Sequence, residues 1–192
     1  MANQITIGFG MRPLRQAGQG NHTAGLGEWK KAASSAAINH HELTQLQATG
    51  YVLSSTVATS NNIGSLNGSF YTDPSTSKPT WSNWAPNNAA TDMVCLVNDD
   101  TRIMFEMRTQ LTNLTDPGSA GDCSPIVVGS CSGSPNYISG NLLGAAGGAV
   151  VDNQIKIFGL TRDPNNQDVA VSGSVWRVIL NQNMLDNNVA GI

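Results

Sequence analysis

The sequence concentrates potential metal ligands at one place. His40, His41 and Glu42 are consecutive, and His22 lies upstream. Consecutive residues of a strand point to opposite faces of a sheet, so we do not expect the two histidines to share an ion. The sequence therefore predicts no metal site here.

Acidic residues offer a second kind of site. Asp92, Asp99 and Asp100 could supply oxygen ligands to calcium. However, Asp99 and Asp100 follow a strand-like apolar run, at a position where turns favour aspartate. We interpret this pair as turn residues and predict that the chain carries no metal or other cofactor.

Motifs of nucleophilic or phosphate chemistry do not occur in the sequence. It lacks the Gly-x-Ser-x-Gly elbow of serine hydrolases. The stretch "GAAGGAV" (residues 144–150) has neither the lysine nor the strand–helix frame of a phosphate loop. The three glutamates and ten aspartates stand in no context that suggests a catalytic pair. We predict that the chain is not an enzyme.

The three cysteines are expected to be thiols. Cys95 lies in the apolar run "MVCLV" and is typical of a small buried residue. Cys123 and Cys131 could close a small loop. The odd total favours free thiols, and so does a start without a secretory signal, which predicts synthesis in a cytoplasm.

Aromatic residues provide the strongest candidates for binding. Tyr71, Trp81 and Trp84 belong to a proline-rich, loop-like segment, residues 71–92. Their rings could stack on sugars, pin the loop to its own domain, or fill a pocket on a neighbouring subunit. We assign them as interface or loop anchors, and these three readings stay open.

A second candidate lies near the start, in "FGMRPLRQ" (residues 9–16). Arg12 and Arg15 could form bidentate pairs with carboxylates of another protein. Pro13 would lower the entropic cost of docking, and Phe9 would add an apolar anchor. The alternative is that the segment folds back as an edge strand of its own domain.

Short strands between Gly, Asn and Pro turns are expected to position these residues. The pattern predicts a mainly β fold, an antiparallel β-barrel or β-sandwich with long loops. We divide the chain into an extended N-terminal arm (residues 1–27), a β domain (28–181) and a C-terminal tail (182–192). The predicted strands are 51–57, 65–71, 125–130, 153–160 and 173–180, together with a hairpin over 93–107.

The segment 28–47 is ambiguous, because its alanines and apolar spacing favour a helix. The last strand, 173–180, is apolar on both faces and is expected to be central or covered.

The composition limits the classes of partner. Only 12% of residues are charged, against about 25% in ordinary soluble domains, while Gly and Asn each number 20. The net charge of −3 and ten scattered basic residues argue against nucleic acid. No apolar run is long enough to span a membrane.

Three compound motifs resemble one family. They are "FGMRPLR" near the start, "YTDPSTSKPTWSNWAPNNAATDMVCLVNDDTRIMFEM" in the middle and "IKIFGLTRDPNN…VWRVILN" near the end. The chain resembles the small structural proteins encoded beside the major capsid protein of tailed phages, many of them short-tailed and marine. The matching positions are Phe9, Gly10, Arg12, Pro13, Tyr71, Thr72, Asp73, Pro74, Lys78, Pro79, Trp81, Ser82, Asn83, Trp84, Pro86, Val97, Asp99, Asp100, Phe105 and Glu106.

Thr101 stands where the family usually has proline. Residues 28–47 and 113–150 depart further from the family pattern. Because that first region is strand in the family, the resemblance overrides the helix propensity, and we expect residues 28–47 to be mainly extended.

The resemblance implies a head decoration, or cement, protein on the exterior of the phage capsid. Its partners would be the major capsid protein and its own copies in a homotrimer. Phe9, Arg12, Pro13 and Arg15 would then contact the capsid. A receptor- or glycan-binding module and a minor tail or connector component are the alternatives.

Overall fold

The computed structural model describes residues 8–17, 26–55, 61–110, 114, 120–128, 136–144 and 153–186. These residues form strands and no helix. The strands are β1 (Arg12–Gln16), β2 (Gly27–Lys30), β3 (Leu43–Leu46), β4 (Val52–Ser54), β5 (Asn62–Thr72), β6 (Pro79–Ser82), β7 (Val94–Asn98), β8 (Ile103–Arg108), β9 (Cys123–Ser124), β10 (Ile126–Val128), β11 (Asn141–Leu143), β12 (Ile155–Leu160) and β13 (Val175–Leu180).

Two antiparallel sheets form most of the structure. The five-stranded sheet has the order β1-β8-β13-β12-β9, and the six-stranded sheet has the order β2-β7-β5-β3-β4, with β6 added beside β5. Strands β10 and β11 form a separate pair. The mainly β, antiparallel fold is therefore confirmed as sandwich-like, while neither described sheet closes into a barrel.

Each large sheet has its own apolar cluster. Phe105, Trp176 and Val178 belong to the cluster of the five-stranded sheet, and Ile63 and Leu66 belong to that of the six-stranded sheet. Strand β13 lies between β8 and β12, so the prediction of a central last strand is confirmed.

The predicted hairpin over residues 93–107 is wrong. Its two strands exist as β7 and β8, but β7 pairs with β2 and β5, whereas β8 pairs with β1 and β13. The connection carries the chain from one sheet to the other. It is stabilised by Asp100, whose main-chain and side-chain oxygens accept hydrogen bonds from the N–H groups of Ile103 and Arg102.

The segment 28–47 is not helical, as expected, but strands form only near its two ends. It contributes β2 and β3, and the chain between them turns irregularly, with positive φ at Ser34 and His41. Lys31 is buried there, and its ammonium group donates to the carbonyl oxygens of Ser35 and Pro86 at 3.0 and 3.1 Å.

The ranges assigned to the arm and the tail contain parts of the folded body. Strand β1 pairs with β8 in the five-stranded sheet, although it lies within residues 1–27. In the tail, the Met184 N–H donates to Asn62 O at 2.8 Å, and Asn183 is buried. The rest of the arm (1–7 and 18–25) and of the tail (187–192) lies outside the described residues.

Candidate functional site

The predicted binding residues lie on two different sheets. Tyr71, Trp81 and Trp84 lie on or beside the β5–β6 hairpin of the six-stranded sheet, while residues 9–15 lie at the β1 edge of the five-stranded sheet.

A tight turn built by Asp73 positions the hairpin. The Asp73 N–H donates to Lys78 O at 2.9 Å, and Asp73 Oδ1 accepts from the N–H groups of Ser75 and Thr76 at 2.7 and 3.2 Å. Such Asx turns let a short side chain replace main-chain partners. The turn fixes a register in which Phe70 lies opposite Trp81.

This register creates an exposed apolar surface. Phe70 and Trp81 are 51% and 50% exposed, and Val94 and Leu96 of β7 lie beside them, with Phe70 opposite Val94. We call these four residues the aromatic face. The Trp81 ring lies over Gly68, where a Cβ atom would come within 2.6 Å of the indole. Gly68 thus allows the ring to lie flat against the sheet.

A groove of about 470 Å³ includes the aromatic face, and Tyr71, Glu28 and Asp92 also line it. Both carboxylate oxygens of Asp92 lie 3.1 Å from the Thr72 nitrogen, whose N–H donates to them. Hydrogen bonding to Thr72 lowers the pKa of Asp92, so this carboxylate is ionised at neutral pH. The groove therefore combines aromatic rings with negative charge at its edge.

Trp84 has a different role from Trp81. Its ring stacks on Tyr137 with centroids 3.8 Å apart and an interplanar angle of 10°. Its carbonyl oxygen accepts from Ser69 Oγ at 2.7 Å. Trp84 thus pins the loop to its own domain. Tyr71 is half-buried and packs against the second apolar cluster. Of the three predicted anchors, only Trp81 is largely exposed.

At the other sheet, the predicted arm residues form an edge strand. Met11 is fully buried, and its N–H donates to His41 O at 2.8 Å. The Arg12 guanidinium lies 4.8 Å from the centre of the Phe9 ring and forms an ion pair with Glu106. Pro13 lies opposite Phe105 in the pairing of β1 with β8. The fold-back alternative therefore describes this segment.

The two histidines behave differently from the sequence prediction. His41 has a φ of 59°, so it does not continue a strand, and its ring contacts that of His40 at a tilt of 31°, with centroids 3.8 Å apart. Burial, together with the neighbouring His40, lowers the pKa of His41 to about 4. His22 lies outside the described residues. Among the residues that are described, no three potential ligands converge on a metal site.

The three aspartates considered for calcium are engaged by protein donors. Asp99 Oδ2 accepts from Trp29 Nε1 at 2.9 Å, and Asp100 Oδ2 accepts from Gln16 Nε2 at 2.6 Å. These contacts attach β1 and β2 to the connection between the sheets.

The described cysteines are free thiols, as predicted. Cys95 and Cys123 are buried and unlinked, and burial raises the pKa of Cys95 to about 12. Cys131 lies outside the described residues. A buried thiol with a raised pKa remains protonated and is a poor nucleophile.

Sequence reasoning missed Phe70, Val94 and Leu96. The run "MVCLV" is apolar throughout, so it does not reveal that Val94 and Leu96 face outward while Cys95 and Val97 face the core. The "FY" pair at 70–71 was the available signal, because alternation requires one of two adjacent rings to face away from the core.

Comparison with protein-family models, with curated proteins and with solved structures gives no match. Within the described part of the chain, no helix is both long and apolar enough to cross a bilayer.

Proposed function

We propose that the chain is a virion structural protein that decorates the exterior of an assembled phage head and stabilises contacts between capsomers. Its partners are the major capsid protein and two further copies of itself. It is made in the cytoplasm of the host, performs no reaction, and needs no cofactor, nucleic acid or membrane.

The aromatic face is the observation that carries this proposal. Two large rings, each half exposed on a paired sheet, are typical of surfaces that another protein covers. Trp81 is presented by the hairpin of the motif "YTDPSTSKPTW", which is part of the resemblance to decoration proteins. We assign the aromatic face to the contact between copies.

The capsid contact is assigned to the β1 edge with Phe9, Arg12, Pro13 and Arg15. Because Arg12, Pro13 and Arg15 are held by β8, they are presented in a fixed geometry and lose little entropy on docking. A protein that binds only the expanded lattice stabilises it by mass action. Three linked copies raise the effective concentration of each contact.

Stoichiometry and add-back test the proposal. We expect a stained gel of purified particles to show many copies of the chain, distributed over the shell. Added to heads that lack it, the purified protein should bind and raise the temperature at which the heads release DNA. A copy number fitting one vertex would indicate a connector or tail component. Failure to bind heads would contradict the proposal.

Deletion of the N-terminal segment is a poor test of the capsid contact. Removing residues 1–16 would also remove all of β1 and uncover its partner β8. Lost occupancy could then reflect damage to the fold. Single substitutions that preserve β1 are therefore preferable.

Glycan binding is a second candidate, favoured by the groove beside Trp81. Aromatic rings next to ionised Asp92 resemble a surface on which a sugar ring stacks while its hydroxyl groups donate to a carboxylate. Glycan binding that is lost in Trp81→Ala while head occupancy persists would favour this function over decoration.

A further inference from the structure

The outward face of the five-stranded sheet gathers cations that are scattered in the sequence. The pairing of β1, β8 and β13 places Arg12 opposite Glu106, and Glu106 opposite Arg177. Because neighbouring strands are about 4.8 Å apart, this Arg–Glu–Arg row spans about 10 Å. The row lies on the face opposite Phe105 and Val178, which point into the core.

Further cations flank the row on the same face. Arg15 lies opposite Met104, Lys156 lies opposite Ile179, and Arg108 follows Glu106 on β8. We call the five cations, Arg12, Arg15, Arg108, Lys156 and Arg177, the basic face. These five are half of the ten basic residues of the chain. Of its thirteen acidic residues, Glu106 is the one that stands within the row. This sheet face thus carries net positive charge in a chain of net charge −3, although Arg108 is only 8% exposed and Asp163 lies near enough to Arg12 to interact with it electrostatically.

The guanidinium groups of this face differ in whether they have hydrogen-bond or ion-pair partners. Arg12 pairs with Glu106. By contrast, the Nε atoms of Arg15 and Arg177 are buried and have no acceptor in the described part of the chain. A buried donor without an acceptor costs free energy. Both side chains are partly exposed, so a change of rotamer that brings Nε to an acceptor from outside would relieve that cost. Arg15 on β1 and Arg177 on β13 lie on opposite sides of β8, which places one such donor on each side of the strand that carries Glu106.

The surroundings favour carboxylates on a protein over phosphates on a nucleic acid. Half-buried Ile179 lies among the cations, and Phe158 of β12 is 46% exposed. Arginines interleaved with apolar side chains are typical of interfaces between proteins.

We propose that the basic face binds an acidic segment of a protein partner, with carboxylates accepting from Arg15 and Arg177 on either side of Glu106. This inference rests on the proposed function, under which the partner is an acidic segment of the capsid subunit. The surface extends beyond the β1 edge to β13 and β12.

The isolated protein provides the first test. The probe is a fluorescein-labelled oligo-glutamate peptide, measured by fluorescence anisotropy at low and at physiological salt. We expect the double variant Arg15→Gln/Arg177→Gln to bind it at least about tenfold more weakly than the wild type. The matched control Lys30→Gln/Lys78→Gln removes the same charge from exposed positions of the six-stranded sheet, and should bind as the wild type does. Thermal unfolding checks that each variant folds.

The outcomes decide between partners. The inference would be overturned if both double variants lost affinity for the peptide equally, or if the wild-type protein did not bind the peptide. Tighter binding to a single-stranded oligonucleotide of equal charge would also overturn it, in favour of nucleic acid.

Purified heads separate this inference from the proposed function. If wild-type protein binds heads and Arg15→Gln/Arg177→Gln binds them equally well, the basic face is not the contact, although decoration stands. If wild-type protein binds the peptide but not the heads, the acidic-segment inference holds and the proposed function fails.

Discussion

At the scale of the residue, two ionisable groups contribute to the attachment of the N-terminal segment. Glu106 is 6% exposed and depends on Arg12 for its counter-charge. His41 is held neutral by burial and by His40. Both contact the N-terminal segment, so the attachment of that segment depends on charge as well as on strand pairing.

Replacing Arg12 by methionine should remove the ion pair of the buried Glu106 carboxylate, with only the neighbouring Arg177 left opposite it. We expect the free energy of unfolding to fall by about 1–2 kcal/mol, moderated because the Arg12 side chain is half exposed. Adding Glu106→Gln should recover part of the lost stability. Denaturant unfolding of the two single variants and the double variant measures this. Arg102→Met, at an exposed position, is the control and should change stability little. Strictly additive losses would contradict the pairing.

The pKa of His41 predicts a loss of stability in acid. Its folded-state pKa is about 4, below the ordinary value of 6.5, so the unfolded chain binds the proton first. The contribution of neutral His41 to the free energy of unfolding is complete above about pH 6.5. It is lost as the pH falls to 4, and the total loss is roughly 3 kcal/mol. His41→Asn tolerates the positive φ and cannot titrate, so its unfolding free energy should fall less steeply over this range. If the unfolding free energies of variant and wild type fell in parallel with pH, His41 would not be the source of the acid sensitivity.

At the scale of the element, close backbone contacts determine how strands attach. Gly10 has a φ of 72°, and a Cβ atom there would lie 2.3 Å from the His41 carbonyl oxygen. This contact directs the chain into β1. The connection between β7 and β8 is attached by side-chain hydrogen bonds. Asp99 accepts one from Trp29 of β2, and Asp100 accepts one from Gln16 of β1.

Gly10→Ala should therefore detach β1 from the sheet. Gly50 is a matched control, because its φ is 81° and a Cβ atom there would meet nothing within 4 Å. Gly50→Ala should cost only the backbone strain, about 1–2 kcal/mol. Gly10→Ala adds a clash and should cost about 2 kcal/mol more. Hydrogen exchange should show faster exchange over residues 12–16 in Gly10→Ala alone. Equal effects of the two substitutions would show that the clash is unimportant.

At the scale of the whole molecule, the two sheets present different outward surfaces. The six-stranded sheet presents the aromatic face, and the five-stranded sheet presents the basic face. Such a division suits a protein that contacts its own copies through one surface and an acidic partner through the other.

The aromatic face should govern association, whereas Trp84 should govern stability. We expect Phe70→Ser/Trp81→Ser to shift the purified protein from trimer to monomer in sedimentation, with little loss of stability. Trp84→Ala removes the stack on Tyr137 and should lower the unfolding free energy by about 2 kcal/mol, leaving association intact in the folded fraction. A wild-type chain that sediments as a monomer would contradict the assignment of this face.

Local patterns determined the β class, most strand positions and the central place of β13. The reason is that period-two apolar alternation and Gly and Asn turns act through neighbouring residues. The candidate residues Trp81, Arg12 and Arg15 were likewise evident from their types alone.

Only the tertiary structure decided which strands pair and which side chains meet. Strands β7 and β8 are adjacent in sequence, yet β7 pairs with β2 and β5 in one sheet while β8 pairs with β1 and β13 in the other. The ion pair of Arg12 with Glu106 joins positions 94 residues apart. Phe70 and Trp81 became one surface, and scattered cations became one face, because strand register brings distant residues together and no local pattern specifies that register.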